Sequence, residues 1–119
     1  MKLFKLGYAE LLNSNELVVT SSDSNIIDSL SFDVIDLGDK LFFKSGGAYK
    51  KICQHWLDKG IDFTCSERKL RSLLHESGIL IPGERGNLTT EKKTRNNRSY
   101  SGYYLLKNLF LTYGGNEHE

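Results

Sequence analysis

The sequence predicts a small α+β domain. Two stretches carry apolar residues with the spacing of strands, each returning on itself as a hairpin. Between them lie two stretches with apolar residues at helical spacing, and the second hairpin concentrates basic charge.

In chain order, residues 2–12 place Leu3, Phe4, Leu6, Leu11 and Leu12 as a short helix would, with Gly7 as an interruption. Asn13-Ser14-Asn15 breaks it, and Glu16 to Thr20 suits a short strand. Ser21 to Asn25 reads as a polar linker or a helix start, so the compact domain is expected to begin near residue 24. Leu30-Ser31-Phe32-Asp33-Val34 alternates like a half-buried strand, Asp36 to Asp39 turns, and Leu41-Phe42-Phe43 returns.

Ser45 is the expected cap of a helix from Gly46 to Lys59, where Ala48, Ile52 and Trp56 share a face and Gly60 ends it. The next helix has a Thr64-x-x-Glu67 capping-box pattern, with Ser66 as a rival cap. Leu70, Leu73 and Leu74 supply its buried face, and Gly78 occupies the left-handed C-terminal position. Ile79-Leu80-Ile81 reads as a short buried strand and Pro82 to Gly86 as a loop. Leu88 to Lys93 and Tyr100 to Leu106 then flank a polar tip, Thr94 to Ser99. The organisation expected is an N-terminal arm or extra element (1–24), a domain (25–106) and a tail (107–119).

A chain of 119 residues suits one domain, and 39% apolar with 26% charged residues suits a soluble one with polar loops. The formal charge of +1 conceals segregation. Residues 1–45 carry −3, whereas residues 85–107 carry +5, from Arg85, Lys92, Lys93, Arg95, Arg98 and Lys107 against Glu91. Such a basic, Asn-rich hairpin can follow a phosphate backbone by displacing its condensed counterions. No apolar run approaches the length of a membrane span, and the apolar part of Met1 to Tyr8 is too short for a secretory signal. Cys53 and Cys65 are then expected as free thiols in a reducing cytosol, which makes the expected location cytoplasmic.

Hairpin, helix, turn, helix, strand and basic hairpin together describe a winged helix-turn-helix, in which the second helix enters or crosses the major groove and the hairpin touches the flanking backbone. The candidate DNA-binding residues of the second helix are Arg68, Lys69, Arg71, Ser72 and His75. Arg68, Arg71, Ser72 and His75 form a stripe opposite the leucines. From the wing they are Lys92, Lys93, Arg95, Asn96, Asn97 and Arg98. Arg suits bidentate contacts with guanine or phosphate, and the Thr, Asn and Ser side chains of the wing suit phosphate oxygens. Of Tyr100, Tyr103 and Tyr104, one or two are expected in the core.

The run Tyr49 to Leu106 resembles the winged-helix module at the C-terminal end of replicative helicases and primase-helicases of phages, plasmids and staphylococcal mobile elements. The resemblance is carried by Lys69 to Leu80 (KLRSLLHESGIL), by Gly86-Asn87-Leu88-Thr89, and by Tyr103-Tyr104-Leu105-Leu106. It implies a detached domain that engages DNA, in origin recognition or docked against a motor domain of the same polypeptide. It has no counterpart for residues 1–24. The chain holds no Gly-x-x-x-x-Gly-Lys-Ser/Thr loop, so any ATPase would lie in another part of a longer polypeptide.

A non-enzymatic role without cofactor is therefore expected, with DNA, double-stranded rather than single-stranded, as the partner. Cys53, His55, Cys65 and His75 lack zinc-finger spacing, and Cys53 and His55 would stand about 200° apart on a helix. Nothing marks a nucleophile elbow, and Asp33, Asp36 and Asp39 suit a solvated turn or a weak cation site. Two alternatives remain open. The domain could dock on a motor or another protein partner, with Leu109 to Tyr113 as an apolar contact. It could also be a small free-standing transcription regulator that dimerises on a palindromic site.

Overall fold

In the computed structural model, which describes residues 2–21, 32–93 and 99–112, the chain is a mixed α+β fold. The elements are α1 (Lys2–Asn13), β1 (Val19–Thr20), β2 (Val34–Asp36), β3 (Lys40–Lys44), α2 (Ala48–Asp58), α3 (Glu67–Glu76), β4 (Leu80–Ile81), β5 (Thr90–Lys93), β6 (Ser99–Leu106) and α4 (Lys107–Thr112). A 3-10 turn, Glu84–Gly86, precedes β5. No helix among the described residues is long and apolar enough to cross a membrane.

Strand β6 organises the sheet. On one edge it pairs antiparallel with β3, from Lys40↔Leu106 to Lys44↔Gly102. Its other edge is shared: β4 pairs with the C-terminal half (Leu80↔Leu105) and β5 with the N-terminal half (Thr90↔Gly102 to Lys93↔Ser99). The first hairpin adds β2 outside β3, and β1 lies parallel to β2.

Strand alternation divides the core in two. Val34, Leu41, Phe43, Tyr103 and Leu105 point to the helical side, where Phe4, Tyr8, Leu11, Ile52, Trp56, Leu70, Leu74 and Phe110 cover them. Phe32, Ile35 and Phe42 form a smaller cluster on the opposite face with Leu37, Tyr100 and Tyr104. This is why Leu41-Phe42-Phe43 is unbroken by a polar residue: β3 is buried on both faces. Burying each such side chain stabilises the fold by roughly 1.5–3 kcal/mol.

The large core reaches beyond residues 25–106 at both ends. Phe4 packs at a tilt against Phe43 and Phe110 at ring-centroid distances of 5.7 and 5.8 Å, so α1 and α4 belong to the same packed unit as the sheet. Gly7 does not interrupt α1. A Cβ there would stand 2.7 Å from Ile52 Cγ2 and 2.8 Å from Trp56 Nε1, so the missing side chain lets α1 and α2 touch.

Two expected caps are replaced. Ser45 does not cap α2; its N–H donates to Ser101 O, and Gly47 holds the cap position after a tight turn through Gly46 at φ +77°. The Thr64/Glu67 capping box does not form. Ser66 caps α3, accepting from the Lys69 N–H at 3.1 Å, because Glu67 is engaged elsewhere. Both helix-ending glycines are as expected. At Gly78 (φ +76°), Ile79 N donates to Leu74 O and Gly78 N to His75 O, the paired bonds of a Schellman end. Gly60 ends α2 in the same way, with Ile61 N on Trp56 O.

The turn carboxylates are claimed by the fold. Asp33 is buried and accepts from Lys51 Nζ at 2.6 Å and Val18 N at 2.9 Å. Asp36 accepts from Lys107 Nζ at 2.8 Å and Gly38 N at 2.9 Å.

Candidate nucleic-acid interface

Helix α3 is fixed to the sheet at both ends. At its C-terminus, Leu106 N donates to Ile79 O at 2.8 Å, joining the helix exit to β6. At its N-terminus, Glu67 accepts from the Gly46 N–H at 3.1 and 3.2 Å and from the Tyr103 hydroxyl at 3.2 Å. Tyr103 is fully buried, and burial together with the facing Glu67 carboxylate pushes its ionisation well above the ordinary tyrosine range. It is therefore a neutral donor at any ordinary pH. With Leu70 and Leu74 in the core, the remaining surface of α3 is held outward in one orientation.

That surface carries most of the expected helix residues. Arg68, Lys69 and His75 are exposed, and Ser72 is half-buried, its hydroxyl donating to Arg68 O at 3.4 Å. Arg71 departs from the expected stripe. Its side chain is only 17% exposed, its Nη1 stands 3.8 Å from Glu67 Oε1, and its guanidinium lies 5.9 Å from the Tyr103 ring centre. The reason is angular: Arg71 follows Leu70 by one residue, about 100° round the helix, which brings it to the flank facing the sheet.

The second hairpin forms through β5 and β6, and its strands carry Lys92 opposite Tyr100 and Lys93 opposite Ser99. Arg95, Asn96, Asn97 and Arg98 lie outside the described residues. The pairing separates the second hairpin from α3 more than the charge pattern implies. Tyr100 packs on Phe32 at 4.8 Å, on the sheet face away from the helices, and Lys92 shares that face. Glu91, paired with Ser101, rises from the same face as Tyr103.

Between α3 and the approach to β5 lies an open cleft of about 420 Å³, lined in part by Arg68, Arg71, Ser72, Asn87 and Thr89. Asn87 was absent from the expected set; its signal was its place in the Gly86-Asn87-Leu88-Thr89 step. The loop reaches this position through two consecutive left-handed residues, Arg85 at φ +58° and Gly86 at φ +74°. Leu88 anchors the step by packing against the main core.

No exposed large apolar side chain among the described residues lies on α3, β5 or β6. Those present, Leu6, Leu12, Val18, Leu57, Ile61, Leu109 and Leu111, sit on the other helices and connections. No group of three or more His, Cys, Asp or Glu side chains among the described residues is placed to hold a metal ion. His55 instead contacts Glu10 at 2.7 Å, and burial pushes the Cys53 thiol upward, away from thiolate chemistry. No protein-family model matches the chain, and no curated protein sequence matches it.

Proposed function

We propose that this chain is a winged-helix module that binds duplex DNA without catalysing a reaction. The observation that carries the reading is the outward face of α3: Arg68, Lys69 and His75 are exposed there with Glu76, no large apolar side chain is exposed, and the helix is braced at both ends onto the sheet. A rigid basic helix beside a two-stranded ribbon suits groove entry with backbone contacts at its flank. The order α2, α3, then β5 and β6, with β3 completing a three-strand set round β6, supports a winged helix. The resemblance to the terminal modules of mobile-element replicative helicases extends the proposal to an accessory or origin-recognition role in DNA replication, in the cytoplasm, beside a motor domain.

The same observation weighs against a protein partner on this face, since the centre of such a contact is depleted of charge and enriched in aromatic side chains. Protein docking is better served by α1, α2 and α4, where the exposed leucines lie.

Fluorescence anisotropy with a labelled duplex tests the proposal. Binding is expected at low salt, with log affinity falling linearly against log salt. Converting Arg95 and Arg98 to Glu is expected to weaken binding and flatten that line. A chain that shows no affinity for duplex DNA at low salt would overturn the reading.

A further inference from the structure

The cleft beside α3 has an electrical direction. Its helix end is lined by two guanidinium groups, Arg68 and Arg71, with the Ser72 and Thr89 hydroxyls and the Asn87 amide, and by no carboxylate among the described residues. An adjoining cleft shares Asn87 and Thr89 but continues along the hairpin past Glu84, Glu91 and Ser101, with no basic residue lining it among those described. The two clefts thus meet at Asn87 and Thr89, cationic on the α3 side and anionic on the hairpin side. An anion is drawn to the α3 end and repelled from the wing end.

The donor types at the α3 end match a tetrahedral oxyanion. Guanidinium groups offer forked N–H donors, the Asn87 amide adds two and the Thr89 hydroxyl one, the Ser72 hydroxyl can turn from its loose 3.4 Å bond to Arg68 O, and the lining is far more polar than an apolar ligand would need. The Arg71 contact with Glu67 uses one guanidinium nitrogen at a loose 3.8 Å, which leaves donors for the cleft.

We infer that this cleft is a seat for one phosphate group of the nucleic-acid backbone, held chiefly by Arg68 with Ser72, Asn87 and Thr89, while Glu84 and Glu91 keep the strand off the helix-side face of the wing. The inference rests on the DNA-binding reading and changes one part of it: Arg68 positions the backbone and does not read a base. A strand seated here crosses between α3 and the Gly86–Thr89 step, then leaves the protein or passes to the outer face of the wing.

Two measurements on the full chain test the seat. In the first, Arg68→Ala is compared with wild type on several duplex sequences over a range of salt. A phosphate contact predicts a loss of about tenfold or more that is uniform across sequences. It also predicts a salt slope shallower by about 0.9. Arg68→Lys should recover part of the loss, and Ser72→Ala with Thr89→Val should lower affinity on an unaltered salt slope. A loss confined to some sequences, with the slope unchanged, makes Arg68 a base-reading residue and overturns the seat.

In the second, inorganic phosphate is titrated into the DNA-free protein and followed by amide NMR. Saturable shifts at Ser72, Asn87 and Thr89 that vanish in Arg68→Ala support the seat. Shifts absent there, or spread evenly over surface lysines, overturn it. This measurement needs no DNA binding, so a chain that seats phosphate but ignores duplex DNA refutes the functional proposal alone.

Discussion

The Tyr103 hydroxyl, on the central strand, donates to Glu67 Oε2, in the first turn of α3, at 3.2 Å. The same carboxylate accepts the Gly46 N–H from the turn before α2. One side chain thus joins the sheet, the entry to α2 and the start of α3, and it holds Arg71 against the Tyr103 ring. Glu67→Ala is expected to leave a buried hydroxyl and a turn N–H without their partner, at a cost of about 2–3 kcal/mol. Tyr103→Phe removes only a donor from a carboxylate that keeps the Gly46 bonds, and should cost about 1 kcal/mol. Urea unfolding of both single variants and the double variant measures this. A double variant no worse than Glu67→Ala would show that the two groups act as one unit.

This hub shows where the sequence stopped being readable. Helical spacing correctly assigns Leu70 and Leu74 to the core, though it also includes Leu73, which is only half-buried, and the glycines after α2 and α3 mark both ends, because those signals are local. Thr64-x-x-Glu67 is equally local, but Glu67 found better partners 21 and 36 residues away, and no periodicity reports them. Helical spacing puts Arg71 on the outward stripe because a one-dimensional pattern fixes which side is apolar and not how far a sheet wraps round its flank. Likewise Gly7 looked like a break, and only the approach of Ile52 and Trp56 reveals it as a contact. The charge of the second hairpin is legible as a total. Its division between Lys92 on one face and Glu91 on the other depends on strand register.

Gly102 should be the least replaceable glycine in the sheet. A Cβ there would lie 2.3 Å from the Phe43 carbonyl oxygen and 2.6 Å from Phe42 Cζ, and neither a strand backbone nor a packed ring can yield cheaply. Gly102→Ala is expected to destabilise by about 3 kcal/mol, at the upper end of overpacking effects. The strand-propensity gain of Ala over Gly, within a scale of ~1 kcal/mol, does not offset this. A thermal melt unchanged from wild type would contradict the close packing of β3 on β6.

Acid should weaken the fold through Asp36 and Glu10. At Asp36, burial works to raise the carboxyl, yet the Lys107 ammonium and the Gly38 N–H together outweigh it and hold the group below its ordinary range. Glu10 is held low by hydrogen bonds from Lys59 and then His55. A carboxylate depressed in the folded state binds its proton more readily when unfolded. Its stabilisation is therefore complete above the ordinary carboxylate range and is lost as pH falls through the folded value. Urea midpoints should accordingly decline below about pH 4. Lys107→Met should lower the neutral-pH midpoint and flatten this decline, because the cation that depresses Asp36 is gone. A variant that keeps the full wild-type acid dependence would show that the Lys107 ammonium contributes none of it.

Charge reversal at single positions should separate the helix side of the domain from the outer face of the second hairpin. Arg68 is exposed beside the cleft on the helical side, whereas Lys92 shares the opposite sheet face with Tyr100. Reversal removes one attraction and adds one repulsion. At a residue that touches the backbone this should exceed the loss of a contact alone, about tenfold for a charge-assisted bond. Arg68→Glu is expected to show that full effect on duplex affinity at low salt. Lys92→Glu, further from a strand that passes along α3, should show a smaller one, and that smaller effect should fade first as added salt screens charges beyond about 10 Å at 0.1 M, so that the ratio of the two effects widens. Anisotropy titrations at two salt concentrations measure both. Equal losses would mean that the strand contacts the outer face of the wing as closely as the helix, and the groove-entry geometry assigned to α3 would have to be replaced by a path across the sheet.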